Sequence, residues 1–541
     1  MNEVYNEIDN INYLEINNCK LVISNIPLNF LEQNKIGENS ELLKMILEVL
    51  YLFKDKINKE LIIEFIFDKE KEGDLPKEVS FYQFILLSFY TFINIYYLYN
   101  QFVLIKFPQL FPKQGNEINY DYLINLNLSN KEINLNEKKL VFNSHNDELL
   151  NIFAKIISQI DEQYLLKDYK LFQFSITCLA GTFDRCHIGH FFLIQTSLLL
   201  TKNSLYLGVC SDEMVKHKGP LSLIQSNYVR RKRIEEIVNI NGYNNENCKY
   251  NIKTIYDNID MAGVMKDLDC LIVTSETYKG GLICNDARKK NNLKLVDLCT
   301  INVIKINIDN MNKISSSILR KEILDIISIE KINKLYSDFK NLCIDIKCED
   351  ENIINYWWHI ILNNYTKKWK YYHNLNHIYS FIELFDKYNK LIEKEKNEFL
   401  LSIFFHDIIY IPSRKDNEKE SIKLFNQFYK EFNPQIINKE KVIKLISETE
   451  NHLLNNEYEN DINLFLDMDM QIIAQDNWED YENKIRKEYC FLDYNIYKLK
   501  RKEFLENLNK KDKIFRSNIF YNEYEKIARC NIKNIIKKLN E

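Results

Sequence analysis

Residues 172–200 read FQFSITCLAGTFDRCHIGHFFLIQTSLLL, and the fold of the central part of the chain turns on them. An apolar run from Phe172 to Ala180 leads into Gly181-Thr182-Phe183-Asp184-Arg185-Cys186-His187-Ile188-Gly189-His190, and a second apolar run, Phe191 to Leu200, follows. That order predicts a buried strand, a glycine-bearing turn and a helix that opens under a phosphate site. Helix N-termini present unpaired N–H groups and a partial positive charge, and His187 and His190 add imidazole donors there. The stretch reads as a nucleotide-handling turn.

Working outward, Lys313-Ile314-Ser315-Ser316-Ser317-Ile318-Leu319-Arg320 gathers hydroxyls, backbone donors and two cations in one short piece, which suits a triphosphate. Between the two stretches, strand candidates at Phe174 to Ala180, Leu205 to Cys210, Tyr250 to Tyr256, Cys270 to Val273 and Val303 to Ile306 alternate with helical segments. Such alternation predicts a Rossmann-like, doubly wound parallel sheet with its ligand at the carboxyl ends of the strands.

The pair of stretches resembles the nucleotidylyltransferase superfamily, in which such elements bracket ATP. Over residues 174–325 the resemblance narrows to the eukaryotic type of pantetheine-phosphate adenylyltransferase. It is carried by Leu207-Gly208-Val209, Ser211-Asp212-Glu213-Met214, Arg230-Arg231-Lys232-Arg233, Ser275-Glu276-Thr277, Gly280-Gly281, Asn285 and Arg288. The resemblance implies attack by 4'-phosphopantetheine on the α-phosphorus of Mg-ATP, giving dephospho-coenzyme A and pyrophosphate by in-line displacement. It implies His190 as main transition-state donor with His187 beside it, and Lys218 or Lys216 offsetting charge as pyrophosphate forms. Thr182 would bind the acceptor phosphate or the α-phosphate, and Ser315, Ser316 and Arg320 the β- and γ-phosphates. Gly181, Phe183, Asp184, Gly189, Ser317 and Arg288 complete the implied ATP site.

Composition sets the frame. The 541 residues exceed one core and predict several domains. The 72 basic and 77 acidic residues nearly balance, so nothing global points to nucleic acid or to an anionic membrane, and small-molecule partners are expected. Glycine is scarce at 11, yet eight fall between Gly181 and Gly281, which marks positions needing positive φ or close backbone approach. The 12 cysteines form no C-x-x-C pair, as expected of reduced thiols in a cytoplasmic protein. The N-terminus lacks the basic-then-apolar form of a signal peptide.

Residues 1–168 form an N-terminal region of mixed α/β pattern in which no catalytic cluster stands out, and its one histidine, His145, reads as a surface residue. Phe81 to Ile105 carries no charge and is long enough to span a bilayer, but Gln83, Ser88, Thr91, Asn94, Asn100 and Gln101 interrupt it. A buried helix pair is the reading adopted.

Residues 169–328 are the expected transferase domain. Residues 329–541 follow, and animal bifunctional coenzyme A synthases continue at this point into a kinase with a Gly-x-x-x-x-Gly-Lys-Ser/Thr loop. With no glycine after Gly281, this chain lacks that loop. Instead Tyr372-His373-Asn374-Leu375-Asn376-His377 opens one helical stretch, Phe405-His406-Asp407 closes the next, and Leu466-Asp467-Met468-Asp469 lies in a later one. This ordered set resembles the HD superfamily of metal-dependent phosphohydrolases, an all-helical fold. Asp416-Asn417-Glu418, Ser421, Thr449, His452, Arg486-Lys487-Glu488-Tyr489 and Ala528-Arg529-Cys530-Asn531 resemble one uncharacterised branch of it. The resemblance implies a divalent metal (Mn, Fe, Mg, Zn or Ni) on His377, His406, Asp407 and Asp469, with Asp467 as the alternative to Asp469. His373, Glu418 and His452 are implied accessories. Three competing readings are another His-x-Gly-His nucleotidylyltransferase, a class I aminoacyl-tRNA synthetase, and an HD part that acts as a regulatory sensor or scaffold.

Overall fold

The computed structural model describes residues 165–240, 249–301, 315–392, 395–432, 434, 436–451 and 460–540. Before residue 165 it describes six strands, one helix and a few single positions. The chain divides into two compact units, Met1–Lys321 and Glu322–Glu541.

The first unit holds two sheets. One runs in the order β3-β2-β1-β4-β5-β6, from β1 (Ile16–Ile26), β2 (Ile57–Phe67), β3 (Phe102–Lys106), β4 (Tyr122–Asn127), β5 (Glu132–Leu135) and β6 (Lys138–Val141). Its first four strands are parallel, and β5 and β6 are added antiparallel. Helix α1 (Val79–Tyr96) lies between β2 and β3 in sequence.

The second sheet is wholly parallel, in the order β11-β10-β7-β8-β9, from β7 (Phe174–Gly181), β8 (Thr201–Cys210), β9 (Lys249–Ile255), β10 (Cys270–Thr274) and β11 (Asp297–Ile301). Helices α2 (Ile188–Leu200), α3 (Asn227–Ile240) and α4 (Tyr278–Lys290) connect its strands. The chain builds β7, β8 and β9 toward one edge and then returns to lay β10 on the other side of β7. The sheet therefore changes direction between β7 and β10, where an open α/β sheet leaves a crevice at its carboxyl ends. Gly181 ends one of these strands and Thr274 the other. Val303 to Ile306 lies outside the described residues, and the fifth strand is β11, a few positions earlier.

Helix α2 is apolar all round because both its faces are covered. It packs against β7 and β8 on one side and receives α1 on the other. Of the polar side chains it buries, Ser197 bonds back to the Leu193 carbonyl of the same helix, whereas Gln195 bonds outward: Tyr90 donates to its Oε1 and its Nε2 donates to the Ile105 carbonyl. Ile105 N donates to the Tyr90 hydroxyl at 3.2 Å, which closes the network. The uncharged run from Phe81 to Ile105 is thus a helix followed by a strand rather than a helix pair. Among the described residues, no helix is long and apolar enough to cross a membrane.

The second unit is helical. After α5 (Ser316–Ile326) come α6 (Ile329–Asp345), α7 (Glu351–Tyr365), α8 (Leu375–Tyr388), α9 (Lys396–Phe405), α10 (Asn417–Phe432), α11 (Lys439–Glu448), α12 (Asn460–Met470), α13 (Trp478–Glu488), α14 (Tyr494–Lys510) and α15 (Asn518–Asn540). Helix α9 is central: it touches α6, α8, α10 and α11, and its Phe399, Leu401, Ile403, Phe404 and Phe405 are all buried. A helix apolar on every face belongs in a core, and its last turn delivers His406 and Asp407 there.

Candidate active sites

In the first unit the turn after β7 is a set of interlocked caps. His187 is the N-cap of α2, and its Nδ1 accepts the Gly189 N–H at 3.2 Å. His190 Nδ1 in turn faces the His187 N–H at 3.4 Å. Both imidazoles use Nδ1 as acceptor, which places the proton of each neutral ring on Nε2. Burial pushes His190 down to about 4, so it stays neutral near pH 7. Gly189 is needed between them, since a Cβ there would sit 3.1 Å from the His187 ring. Among the described glycines only Gly219 has positive φ, at +155°.

Phe183 and Arg185 adopt φ of +55° and +47°, so the chain doubles back tightly. The Phe183 ring is buried against Gly181 and His190. Asp184 is buried between them and holds three partners. Its Oδ1 accepts the Gln225 N–H at 3.0 Å, its Oδ2 pairs with Arg320, and its carbonyl accepts the Ser316 hydroxyl at 2.6 Å. Ser317 accepts from Arg320 at 3.0 Å, and Ser315 caps Ile318 N at 3.3 Å. The two stretches singled out in the sequence therefore meet, although residues 302–314, Lys313 included, lie outside the described residues.

Thr182 accepts Lys218 Nζ at 2.6 Å, while Lys216 lies exposed and pairs with Glu213 at 2.6 Å. Arg288 corrects the sequence reading. Its guanidinium is wholly buried and donates to the carbonyls of Lys294, Ala262 and Met265 at 2.7–2.8 Å, so it staples loops together and does not face a phosphate. Arg230 is the residue the sequence left without a role. Also wholly buried, it donates to the carbonyls of Thr182 and Gln225 at 2.8 Å and to Asp212 at 2.9 Å, which fixes the turn from beneath. Its place at the head of four consecutive basic residues hid it, because three of them can be surface charges.

The second unit gathers His377, His406, Asp407 and Asp469. His377 Nε2 lies 3.1 Å from His406 Nε2 and 3.2 Å from Asp469 Oδ1, and His406 Nε2 lies 3.3 Å from Asp407 Oδ2. The other ring nitrogens are engaged away from this centre: His406 Nδ1 with the Ile403 carbonyl at 3.0 Å, and His377 Nδ1 with the Tyr372 hydroxyl at 3.2 Å. Both Nε2 atoms are thereby turned toward the carboxylates, the orientation that such outer hydrogen bonds give metal-binding histidines. Burial alone would keep His406 neutral, but Asp407 and Asp469 push its pKa up, and His406 holds Asp407 below the usual carboxylate range. The donor atoms of His377, His406 and Asp407 all lie within 4.8 Å of one another, and Asp469 Oδ1 approaches the two Nε2 atoms at 3.2 and 3.7 Å, a donor set that fits a divalent cation.

Asp467, the alternative ligand, is directed elsewhere. Its oxygens accept the backbone N–H groups of Arg516 and Ser517 at 2.7 Å and the Ser517 hydroxyl at 2.6 Å, just ahead of α15. His373 lies beside the centre, with Nε2 4.0 Å from Asp407 Oδ2. Its Nδ1 contacts Glu488 Oε2 at 2.7 Å, and Glu488 Oε1 accepts the N–H groups of Tyr372 and His373. In the sequence Glu488 is one member of the Arg486-Lys487-Glu488-Tyr489 motif, and its role depends on α13 lying beside the start of α8. Glu418 lines the adjoining cavity. His452 lies outside the described residues.

Residues 178–322 match the cytidylyltransferase-like family. The chain is 40% identical over 147 residues to a phosphopantetheine adenylyltransferase of Thermococcus kodakarensis, covering 27% of this chain and 85% of that protein. It is 32% identical over 155 residues to the same-named protein of Pyrococcus abyssi, covering 29% and 94%. It is 25% identical over 132 residues to the one of Saccharomyces cerevisiae, covering 24% and 42%. The matched stretch contains the end of β7, both imidazole caps and the start of α5, and through it the chain belongs to the phosphopantetheine adenylyltransferase family.

Proposed function

We propose that this chain transfers the adenylyl group of Mg-ATP to 4'-phosphopantetheine, giving dephospho-coenzyme A and pyrophosphate, with residues 169–328 as the catalytic domain. The observation that carries the reading is the match to archaeal adenylyltransferases across most of their length, with the paired caps His187 and His190 inside it. The acceptor's phosphate oxygen attacks the α-phosphorus, the bond to the bridging oxygen breaks, and pyrophosphate leaves. Neutral His190 donates Nε2–H to an α-phosphate oxygen, with His187 as its neighbour. Lys218, already on Thr182, offsets charge on the leaving group, and Lys216 is the second cation. The backbone N–H groups of Ser315, Ser316 and Ser317 at the start of α5 offer donors to the outer phosphates, while the Ser316 hydroxyl and Arg320 are taken up by Asp184, so that Arg320, expected on the β- and γ-phosphates, holds that helix to the turn instead.

The relatives named above do not favour the synthetase reading. The purified chain, incubated with 4'-phosphopantetheine and Mg-ATP, should release dephospho-coenzyme A and pyrophosphate. His190→Ala should cut the rate by about 100-fold or more, as loss of a transition-state donor does. No product from folded wild type overturns the assignment.

For residues 329–541 we propose a metal-dependent phosphohydrolase of the HD type, supported by the convergence of His377, His406, Asp407 and Asp469. A divalent ion held there lowers the pKa of a bound water and polarises a phosphate. His373 and Glu418 border the substrate. The expected partners of the whole chain are small molecules in the cytoplasm, neither nucleic acid nor membrane.

A further inference from the structure

We propose that the cavity beside the His/Asp cluster selects phosphomonoesters with an uncharged, aromatic or apolar body, and discriminates against polyphosphates; this rests on the hydrolase reading of residues 329–541. The cavity measures about 450 Å³ and is lined by His373, Asp407 and Asp469 next to the cluster. That volume lies within the roughly 300–1,000 Å³ of small-molecule sites.

Two rows of rings lead away from the cluster. Tyr410 stacks on His373 at 3.7 Å and 25° and is hydrogen-bonded to Tyr489, whose ring centroid lies 6.2 Å from that of Tyr497. Tyr372 meets Tyr481 edge-on at 4.8 Å. All five tyrosines line the cavity, and a phenol is neutral near pH 7, so these walls offer ring faces and hydroxyls but no charge. Ile472, Ile485 and Leu492 fill the gaps between them. Flat or apolar groups gain most from such walls, because ring faces stack on planar groups and exclude water from apolar ones.

The charges around the cavity set the limit on phosphate number. A monoester brings up to about two negative charges, which one divalent ion and His373 can meet. A second or third phosphate would find little more. Arg501 is paired with Glu482 and lies over the rings of Tyr481 and Phe504. Lys500 also lines the cavity, but from an exposed position where salt screens its charge, and Glu418 adds a carboxylate to the same lining. The shared chemistry is one phosphate on an uncharged body, which both a nucleoside monophosphate and 4'-phosphopantetheine possess. Water's oxygen joins phosphorus, the ester P–O bond breaks, and the alcohol leaves with a proton from that water.

The test uses the full chain loaded with Mn²⁺. Phosphate release is measured from AMP, 4'-phosphopantetheine, ADP, ATP and p-nitrophenyl phosphate. Binding of the first two to metal-free protein is measured by calorimetry, and each experiment is repeated on Ile485→Trp, which fills the cavity. Leu492→Trp, at a half-buried lining position, replaces that variant if it does not fold. The expected result is a kcat/KM for one monoester at least ~10-fold above ADP and ATP, and a KM raised at least ~10-fold by the blocking residue with metal content unchanged. Which monoester wins names the source. ATP or ADP turned over as well as AMP, or a blocking residue without effect on KM and on binding, overturns the proposal. Retained metal with no phosphate released from any compound overturns the hydrolase reading instead. In that case, loss of one calorimetric site in the blocked variant, beyond the first-unit site that both proteins share, still supports the selectivity for monoesters, and an equal number of sites in the two proteins overturns it.

Discussion

His190 is the residue on which pH acts most directly in the first unit. Its pKa falls from an ordinary 6.5 to about 4 because burial disfavours the imidazolium. As pH drops, the unfolded chain takes up its proton first, so the neutral histidine contributes stability that is whole above pH 6.5 and lost as pH falls through 4. Melting curves between pH 7 and 4.5 should show the first unit of wild type losing more stability than that of His190→Gln. Equal losses would mean that the imidazole titrates normally. In the second unit, Asp467 and Asp469 give opposite expectations although only one residue separates them. Asp469→Ala should empty the metal site and leave the fold intact. Asp467→Ala should keep the metal but destabilise by about 2 kcal/mol or more, because the N–H groups of Arg516 and Ser517 lose their acceptor. Metal analysis and thermal melts on the two variants decide this.

At the scale of elements, α1 and α2 show how a catalytic turn acquires a rigid base. Gln195→Leu would leave the Tyr90 hydroxyl and the Ile105 carbonyl without their partner inside a dry interface. The expected cost is about 1–3 kcal/mol, read as a lower urea midpoint for the first unit with transfer kinetics unchanged at permissive urea. The strand, turn and helix at 172–200 were legible because each has its own local signature: an apolar run, a glycine, and a capping histidine. The packing of Phe81 to Ile105 was not, since an uncharged helix reads alike under lipid and under another helix, and Gln195 and Tyr90 are 105 residues apart. Arg288 was misread for a related reason. A guanidinium that binds three carbonyls has the same letter as one that binds phosphate. His377, His406 and Asp407 were legible as an ordered motif, while the choice of Asp469 over Asp467 gained its physical reason only from Arg516 and Ser517, some 50 residues downstream.

At the scale of the whole molecule, the two units Met1–Lys321 and Glu322–Glu541 each enclose their own buried residues. Each also contains a complete set of the side chains its proposed chemistry needs. The turn at 181–190 is fixed by Arg230, Gln225 and Arg320, all within the first unit. The His/Asp cluster is fixed by Tyr372, Ile403 and Glu488, all within the second. Chemistry closed within a unit should survive loss of the other centre. Asp469→Ala should therefore leave adenylyl transfer within about twofold of wild type, and His190→Ala should leave metal content and phosphate release within the same margin. Metal binding should also act on one unit alone. An ion at 100 times its dissociation constant adds about 2.7 kcal/mol to the state that binds it, so chelation should lower the melting transition of Glu322–Glu541 and leave that of Met1–Lys321 in place. A common shift of both transitions, or a transferase rate that falls with Asp469→Ala, would show that the two centres share their stability and act as one device.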